Sequence, residues 1–304
     1  ATGDSQAGTR AADLYPSLSV AYPDLVFVEA DLDLAATLDV VFLGLPHEAS
    51  MAMATSLVGK AGCVVDLSAA YRLKDASLYP QWYGFEHDQP DLLAQAVYGL
   101  PELYRSELAD ARLIATPGCY VTAASLSIAP LVRLGLIDPT CVIVDAVSGA
   151  GRALKHGSLF CTVDEDFTAY GLLDHRHTPE IEQVTGAQVL FTPHLAPMNR
   201  GILATCYARP TGATSTDELI GALRNFYADE PFVHVGPTSP STKATLGSNA
   251  AHLTARYDAR TGHVMVLCAI DNLTKGASGG AVQAANVALG LPETAGLESV
   301  GVYP

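Results

Sequence analysis

The sequence predicts an α/β fold in its first half and an α+β fold in its second half. Short apolar runs alternate with helical or irregular segments in the first half, which is typical of a parallel sheet covered by helices. Longer strand-like runs and one clear helix occupy the second half, which favours an antiparallel sheet layered with helices. With 304 residues, 49% of them hydrophobic, the chain is long enough to form two domains.

The first half contains four apolar runs that each predict a buried strand, with one helical segment between them. The strands are predicted at residues 25–29, 39–45, 62–67 and 112–116, and the helix at residues 49–58. A dinucleotide-binding domain usually opens with a strand, a GxGxxG turn and a helix, and this sequence contains no such unit. The run GDSQAGTR at residues 3–10 is a weak substitute that also suits an ordinary polar loop.

The second half contains four longer predicted strands, at residues 141–147, 188–195, 202–208 and 264–270. Ser215 and Thr216 are suitable caps for a helix at residues 217–228. The final helix, at residues 277–289, is rich in Ala and Gly, so we expect it to pack closely and to return to the first domain. A junction near residues 117–118 then predicts one domain of residues 1–117 with 275–304, and another of residues 118–274.

The charge and the cysteines limit the partners that we expect. The net charge of −15 repels nucleic acid and anionic lipid, so we expect neither as a partner, and an anionic substrate needs a local basic pocket. The six cysteines are scattered without a CxxC pair, which predicts reduced thiols and no metal site. The sequence shows neither an apolar span nor a signal peptide, and we therefore expect a cytoplasmic protein.

The sharpest local signal is ATPGCYVT at residues 115–122. An apolar strand ends there, Pro-Gly turns the chain, and a helix begins at Cys119. Unpaired N–H groups and the positive end of the helix dipole favour a thiolate at that position, and a thiolate is a strong nucleophile. The alternative is a buried structural cysteine, which is the favoured interpretation for the cysteines inside apolar strands.

The second signal is DHRHTPEI at residues 174–181, where His175 and His177 precede a helix that Thr178 and Pro179 begin. A histidine there can take a thiol proton and later protonate a leaving oxygen, and Glu180 can orient an imidazole. A zinc site is a weak alternative without further ligands, and a capped turn with surface histidines is another.

Three further segments place polar groups at predicted strand ends or helix starts, although each also suits an ordinary loop. DLSAAYRL at residues 66–73 puts Arg72 just after a strand. SGAGR at residues 148–152 offers backbone amides and Arg152 to a phosphate. DNLTKGA at residues 271–277 opens the last helix, where an anion binds readily.

Together these segments resemble the N-acetyl-gamma-glutamyl-phosphate reductase family. The matching stretches span most of the chain in the family's order: FLGLPH (42–47), DLSAAYRL (66–73), YGLPEL (98–103), TPGCYVTAA (116–124), SGAGR (148–152), AYGLLDHRHTPEI (169–181), FTPHLAPMNRGILAT (191–205), GSNAAH (247–252) and DNLTKGASGGAVQAAN (271–286). The SGAGR loop is shorter than the family's pattern. The family's first strand, glycine-rich turn and first helix are missing, and we expect that they were lost from this chain.

The resemblance implies a Rossmann-type nucleotide-binding domain plus an α+β catalytic and oligomerisation domain, similar in fold to aspartate-semialdehyde dehydrogenase. It implies that Cys119 attacks an acyl phosphate to form a thioester, which NADPH reduces to a semialdehyde. His177 is the favoured acid/base, with His175 left open. A dimer or tetramer is expected.

The resemblance and the positions of the few cations also suggest which residues bind substrate and cofactor. The expected substrate-binding residues are Arg72, Arg152, Arg176, Arg200 and Glu180. The expected cofactor-binding residues are Ser5, Arg10, Leu45, Pro46, His47, Ser68, Ser148, Gly149, Asn272 and Lys275. NADP is expected rather than NAD, because Ser5, Thr9 and Arg10 cluster where an NAD site carries an acidic residue.

Two rival functions remain at this stage. One is the related reductase of lysine biosynthesis, whose substrate is attached to an acidic carrier protein and whose docking face should be basic; the charge of −15 argues against it. The other is an inactive, truncated homologue that acts as a binding protein, which only the missing glycine-rich turn supports.

Overall fold

The computed structural model describes residues 4–150 and 163–303, which contain two β-sheets. The first sheet has four parallel strands in the order β1-β2-β4-β3, as the short apolar runs predict. Its strands are β1 (Val40–Leu43), β2 (Cys63–Asp66), β3 (Val97–Tyr98) and β4 (Leu113–Ala115). The helices of this half are α1 (Ala11–Leu14), α2 (Leu32–Ala35), α3 (His47–Leu57), α4 (Tyr79–Tyr83), α5 (Pro90–Gln95) and α6 (Pro101–Leu108).

The second sheet has seven strands in the order β6-β7-β5-β8-β11-β10-β9. They are β5 (Val142–Gly149), β6 (Thr168–Ala169), β7 (Val189–Ala196), β8 (Ile202–Ala208), β9 (Val233–Val235), β10 (Ala251–Asp258) and β11 (His263–Ile270). The helices are α7 (Cys119–Arg133), α8 (Thr178–Thr185), α9 (Thr216–Phe226) and α10 (Gly279–Ala288), which a π-helical turn (Thr274–Ser278) precedes. Within the described residues no helix combines the length and apolarity that crossing a membrane requires.

The prediction of an antiparallel second sheet is wrong at two strand pairs. Strands β5 and β7 are parallel, and so are β9 and β10. A parallel pair needs a crossover connection, which α8 provides between β5 and β7. The apolar pattern of each strand gives its burial but not the direction of its neighbour.

The prediction of a buried strand at residues 25–29 is also wrong. This segment forms isolated bridges at Val26, which pairs with Arg10, and at Val28, and these two residues remain 38% and 52% exposed. The bridges bind the backbone of the segment and leave its side chains in contact with solvent. A run of apolar residues therefore does not by itself establish a core strand.

Helix α7 connects the two sheets and thereby positions the candidate site. It begins four residues after β4 ends and runs into the main core, where it packs against β8, β11, α8 and α9. The last helix, α10, packs with Ala281, Ala284 and Ala285 against Val65 and Ile114 of the first sheet. This packing supports the proposed assignment of residues 275–304 to the first domain.

Candidate active site

Cys119 is the first residue of α7, and Gly118 is its N-cap residue. The side chain of Cys119 is partly exposed, whereas Cys63 and Cys206 are buried in strands. Burial raises the pKa of the Cys63 thiol to about 11 and that of the Cys206 thiol to about 12. A thiolate at a helix N-terminus is stabilised by the free amides and the dipole. Among the cysteines that the structure describes, Cys119 therefore has the best setting for a nucleophile.

His177 packs directly against the turn that precedes Cys119. A Cβ atom added to Gly118 would lie 2.5 Å from His177 Nε2, so the imidazole occupies the space that any other residue at position 118 would fill. His177 is 7% exposed and caps α8, which brings the start of α8 to the start of α7. The structure thus places the predicted acid/base, His177, against the residue that directly precedes the predicted nucleophile, Cys119.

His175 lies in an aromatic cluster behind His177. Its ring centroid is 5.8 Å from that of Tyr120, 5.6 Å from that of Tyr170 and 5.2 Å from that of Phe191. Burial, and to a smaller extent the nearby charge of Arg176, lower its pKa to about 4. Its Nδ1 accepts a hydrogen bond of 3.1 Å from the backbone N–H of His177. A neutral, hydrogen-bonded His175 is suited to orienting His177, which favours His177 as the acid/base.

The low pKa of His175 predicts a pH-dependent stability. Between its folded pKa of about 4 and its unfolded value of about 6.5, the unfolded chain binds more protons, so the free energy of unfolding falls as the pH falls. We expect His175 to account for about 2 kcal/mol of the loss between about pH 7 and about pH 5. In urea unfolding, the free energy of unfolding of His175→Phe should fall by about 2 kcal/mol less than that of the parent over this pH range. The free energy of unfolding of His263→Gln, at the start of β11, should fall as much as that of the parent. Equal pH dependence in His175→Phe and the parent would contradict the prediction.

Arg72 and Glu180 are engaged in contacts with the protein itself, which argues against the prediction that they bind substrate. Arg72 is 8% exposed; its Nε donates to Thr116 O at 2.7 Å, and its guanidinium lies 3.6 Å from Glu180 Oε2. Glu180 is fully buried, and its Oε1 accepts hydrogen bonds from Gly118 N at 2.9 Å and from the Tyr98 hydroxyl at 2.6 Å. Their polar groups are already engaged with the protein.

Two other predicted substrate residues keep a guanidinium within reach of solvent. Arg176 is exposed beside His175, and no carboxylate among the described residues lies within 4 Å of it. Arg200 is 34% exposed and is held 3.0 Å from Asp271 Oδ2. Although burial opposes ionisation of Asp271, backbone amides, including that of Gly247, and Arg200 hold the pKa of its carboxyl below the usual value. Arg152 lies outside the described residues.

Several predicted cofactor residues lie where the strands of the first sheet end. Leu45 is exposed, Pro46 is the N-cap of α3, and His47 accepts a hydrogen bond from Ala69 N at 3.0 Å. The Ser68 hydroxyl donates to the carboxylate of Asp66, which shapes the loop after β2. At the chain's beginning, Ser5 is exposed and Arg10 forms a 2.8 Å surface ion pair with Asp13.

Three more predicted cofactor residues have structural contacts. Ser148 is buried, and Gly149 allows close approach, because an added Cβ would lie 2.7 Å from Met198 O. Asn272 Oδ1 accepts a 2.7 Å hydrogen bond from Gly201 N.

The prediction that Lys275 binds the cofactor is wrong. Its side chain is 1% exposed, and Nζ is bound to the carboxylate of Glu102 and to the side-chain oxygen of Gln283. An ammonium enclosed by these acceptors cannot reach a cofactor phosphate. This contact could not be predicted from local sequence patterns, because Glu102 lies 173 residues away.

Sequence reasoning also missed Gly276. A Cβ atom added to Gly276 would lie 2.9 Å from the Cβ of Cys119, so the π-helical turn approaches the nucleophile closely. The small residues around position 276 were the available signal, but they predicted close helix packing and an anion site rather than an approach to Cys119.

Comparison with known protein families divides the chain in a similar way. Residues 1–111 match the model "Semialdehyde dehydrogenase, NAD binding domain", and residues 119–272 match "Semialdehyde dehydrogenase, dimerisation domain". N-acetyl-gamma-glutamyl-phosphate reductase from Symbiobacterium thermophilum is 47% identical, over 99% of this chain and 90% of the relative. The enzyme of the same name from Heliobacterium modesticaldum is 48% identical, over 96% of this chain and 88% of the relative.

The fold is similar to that of solved aspartate semialdehyde dehydrogenases. The Candida albicans enzyme with NADP gives a TM-score of 0.66 at 14% identity, covering 94% of this chain and 90% of that one. Aspartate semialdehyde dehydrogenase II from Vibrio cholerae, complexed with ASA, gives 0.64 at 13% identity, covering 85% of this chain and 81% of that one. These likenesses confirm the predicted fold class.

Proposed function

This chain belongs to the N-acetyl-gamma-glutamyl-phosphate reductase family, and we propose that it reduces N-acetyl-gamma-glutamyl phosphate to N-acetylglutamate 5-semialdehyde in arginine biosynthesis, with NADPH as the reductant. The observation that carries this proposal is the packing of His177 against Gly118, at the helix start that presents Cys119. A thiol beside an imidazole suits acyl transfer, which is the first half of this reaction.

In the proposed mechanism, Cys119 attacks the acyl carbon, so that a C–S bond forms while the bond to the phosphate oxygen breaks. His177 takes the thiol proton and passes it to the leaving phosphate. NADPH, when bound, would supply the hydride that reduces the resulting thioester. The C–S bond then breaks, which releases the semialdehyde and restores Cys119. Arg176 and Arg200 are the described arginines placed to bind the substrate's anionic groups.

The residues at the sheet edge fit a dinucleotide. Strands β1, β2 and β4 are parallel, so their carboxyl ends lie at one edge, where ligands bind in open α/β sheets. Leu45 and His47 follow β1 at this edge, Ser68 follows β2 and Cys119 follows β4. The N-terminus of α3 adds backbone amides for phosphate oxygens. One edge therefore carries both the predicted cofactor residues and the nucleophile.

We expect Arg10→Ala to weaken NADP binding about tenfold and to leave NAD binding unchanged, because only NADP carries the 2′-phosphate that Arg10 would bind. Arg10 is paired with Asp13 on the surface, where an ion pair is weak and open to exchange. Titration calorimetry measures both affinities. Arg260→Ala removes a comparable exposed Arg–Asp pair in the other domain and should leave both unchanged. Unaltered NADP affinity in Arg10→Ala would remove Arg10 from the site.

The reductase of lysine biosynthesis is not favoured, because the relatives described above carry the name of the arginine enzyme. The decisive test is NADP reduction with N-acetylglutamate semialdehyde, which should require inorganic phosphate. Activity only with a carrier-bound substrate would favour the lysine enzyme. Binding of NADP without turnover of either substrate would favour an inactive homologue.

We further propose a cytoplasmic homo-oligomer, a dimer or a tetramer. One face of the second sheet packs against α7 and α9, and alternate residues such as Ile143, Tyr207 and Met265 lie on the other face. These three line a cavity of about 540 Å³. The matching "dimerisation domain" model covers this sheet, which supports its use as a self-association surface.

A further inference from the structure

We propose that Arg72 and Glu180 are positioning residues that hold the backbone on both sides of Pro117 and thereby set the position of the Cys119 thiol relative to His177. This inference rests on the proposed function for its kinetic consequence. Its structural content stands on the contacts of the turn 116–118 alone.

The turn is held at each of its ends. Arg72 Nε donates to the carbonyl oxygen of Thr116 at 2.7 Å, and Glu180 Oε1 accepts from the amide of Gly118 at 2.9 Å. Pro117 between them has no N–H to donate. The Gly118 amide is therefore the next backbone donor after that of Thr116, which donates to Asp66 O, and a side chain of α8 binds it.

The two holding groups also bind each other and are enclosed. Glu180 is fully buried, and its Oε2 lies 3.6 Å from the Arg72 guanidinium. The Tyr98 hydroxyl donates to Glu180 Oε1 at 2.6 Å, and Arg72 also donates to Leu67 O at 3.3 Å. A buried carboxylate with these partners has one favourable orientation, so the turn that it binds is fixed as well.

A single helix determines both halves of the reacting pair. His177, the N-cap residue of α8, packs its ring on Gly118, and Glu180, in the first turn of α8, binds the Gly118 amide through its carboxylate. Cys119 follows directly. Loss of the Glu180 contact releases the turn while His177 stays on its helix, so the distance between thiol and imidazole is no longer fixed. Misplacement of reacting groups by about 1 Å can cost about a hundredfold in rate.

The test compares Glu180→Gln with Glu182→Gln, on the same helix. Glu182 accepts a hydrogen bond from Val189 N and does not touch the turn, so it controls for a general effect on α8. We expect Glu180→Gln to lower kcat about ten- to hundredfold, with KM values for phosphate and semialdehyde within about twofold of the parent's. Arg72→Lys should lower kcat in the same way, because lysine keeps the positive charge but lacks the planar guanidinium group and its several N–H donors. The double variant should be little worse than either single variant, since both groups hold one turn.

Amide hydrogen exchange tests the contact without relying on turnover. The Gly118 amide should exchange faster in Glu180→Gln than in the parent or in Glu182→Gln. An unchanged exchange rate of the Gly118 amide would contradict the proposal that Glu180 fixes the turn through its hydrogen bond with that amide. Faster exchange with an unchanged kcat, or additive effects in the double variant, would overturn the positioning role. A parent protein without phosphate-dependent activity would instead refute the proposed function, and the exchange measurement would still decide the contact.

Discussion

Replacing Cys119 with serine should abolish phosphate-dependent NADP reduction while the fold persists. A serine hydroxyl at the start of α7 is not ionised near neutral pH, so the nucleophile that forms the thioester is lost. We expect kcat to fall on the order of a thousandfold or more, as when a covalent nucleophile is removed from other enzymes. Steady-state assays with semialdehyde and phosphate measure the loss, and circular dichroism verifies the fold.

The control for this prediction is Cys141→Ser. Cys141 is exposed at the edge of the second sheet, immediately before β5, and lies outside the turn that carries the candidate nucleophile. Its replacement should leave activity near the parent's value. Near-parental activity in Cys119→Ser would refute the thioester mechanism, and equal losses in the two variants would point to a general effect of thiol replacement.

Replacing His177 with asparagine should lower kcat about a hundredfold or more, which is the usual share of general acid–base catalysis. Asparagine keeps a polar side chain at the N-cap of α8 but cannot exchange a proton near neutral pH. In the phosphorolytic direction, the acidic limb of the pH–rate profile should also flatten, because the group that must lose its proton is gone. Rates measured across the pH range give both results.

His175→Asn is the companion variant. His175 contacts His177 through a backbone hydrogen bond and a ring centroid separation of 4.7 Å, so we expect it to act mainly on substrate binding and on the orientation of His177. The reverse pattern would exchange the roles of the two histidines. A double variant with the parental pH profile would remove both from catalysis and leave Cys119 without an identified proton partner.

The turn that carries the candidate nucleophile and the helix start that carries the candidate acid/base could be predicted because their signals are local. A strand end, Pro-Gly and a helix start fall within a few residues of Cys119, and the cap of α8 falls within a few residues of His177. Backbone geometry at such turns depends on the residue types in the turn itself. The fold class followed from apolar patterning in the same way.

The functions of the charged residues could not be predicted, because their partners are distant in sequence. Arg72 binds a carbonyl 44 residues away, and Glu180 binds an amide 62 residues away. A charged side chain in a loop has the same sequence pattern whether it faces a ligand or a buried partner. Only the packing of the two domains distinguishes these cases, and for Arg72, Glu180 and Lys275 it decided against ligand contact.

The buried cluster of Glu102, Lys275 and Gln283 has a consequence for how the chain folds during synthesis. Glu102 belongs to the first half of the chain, and the cation that neutralises it arrives 173 residues later. A buried carboxylate without its partner is strongly destabilising, so burial of Glu102 in the first domain is unfavourable until Lys275 has been synthesised. Docking of the last helix therefore completes the packing of the first domain around Glu102.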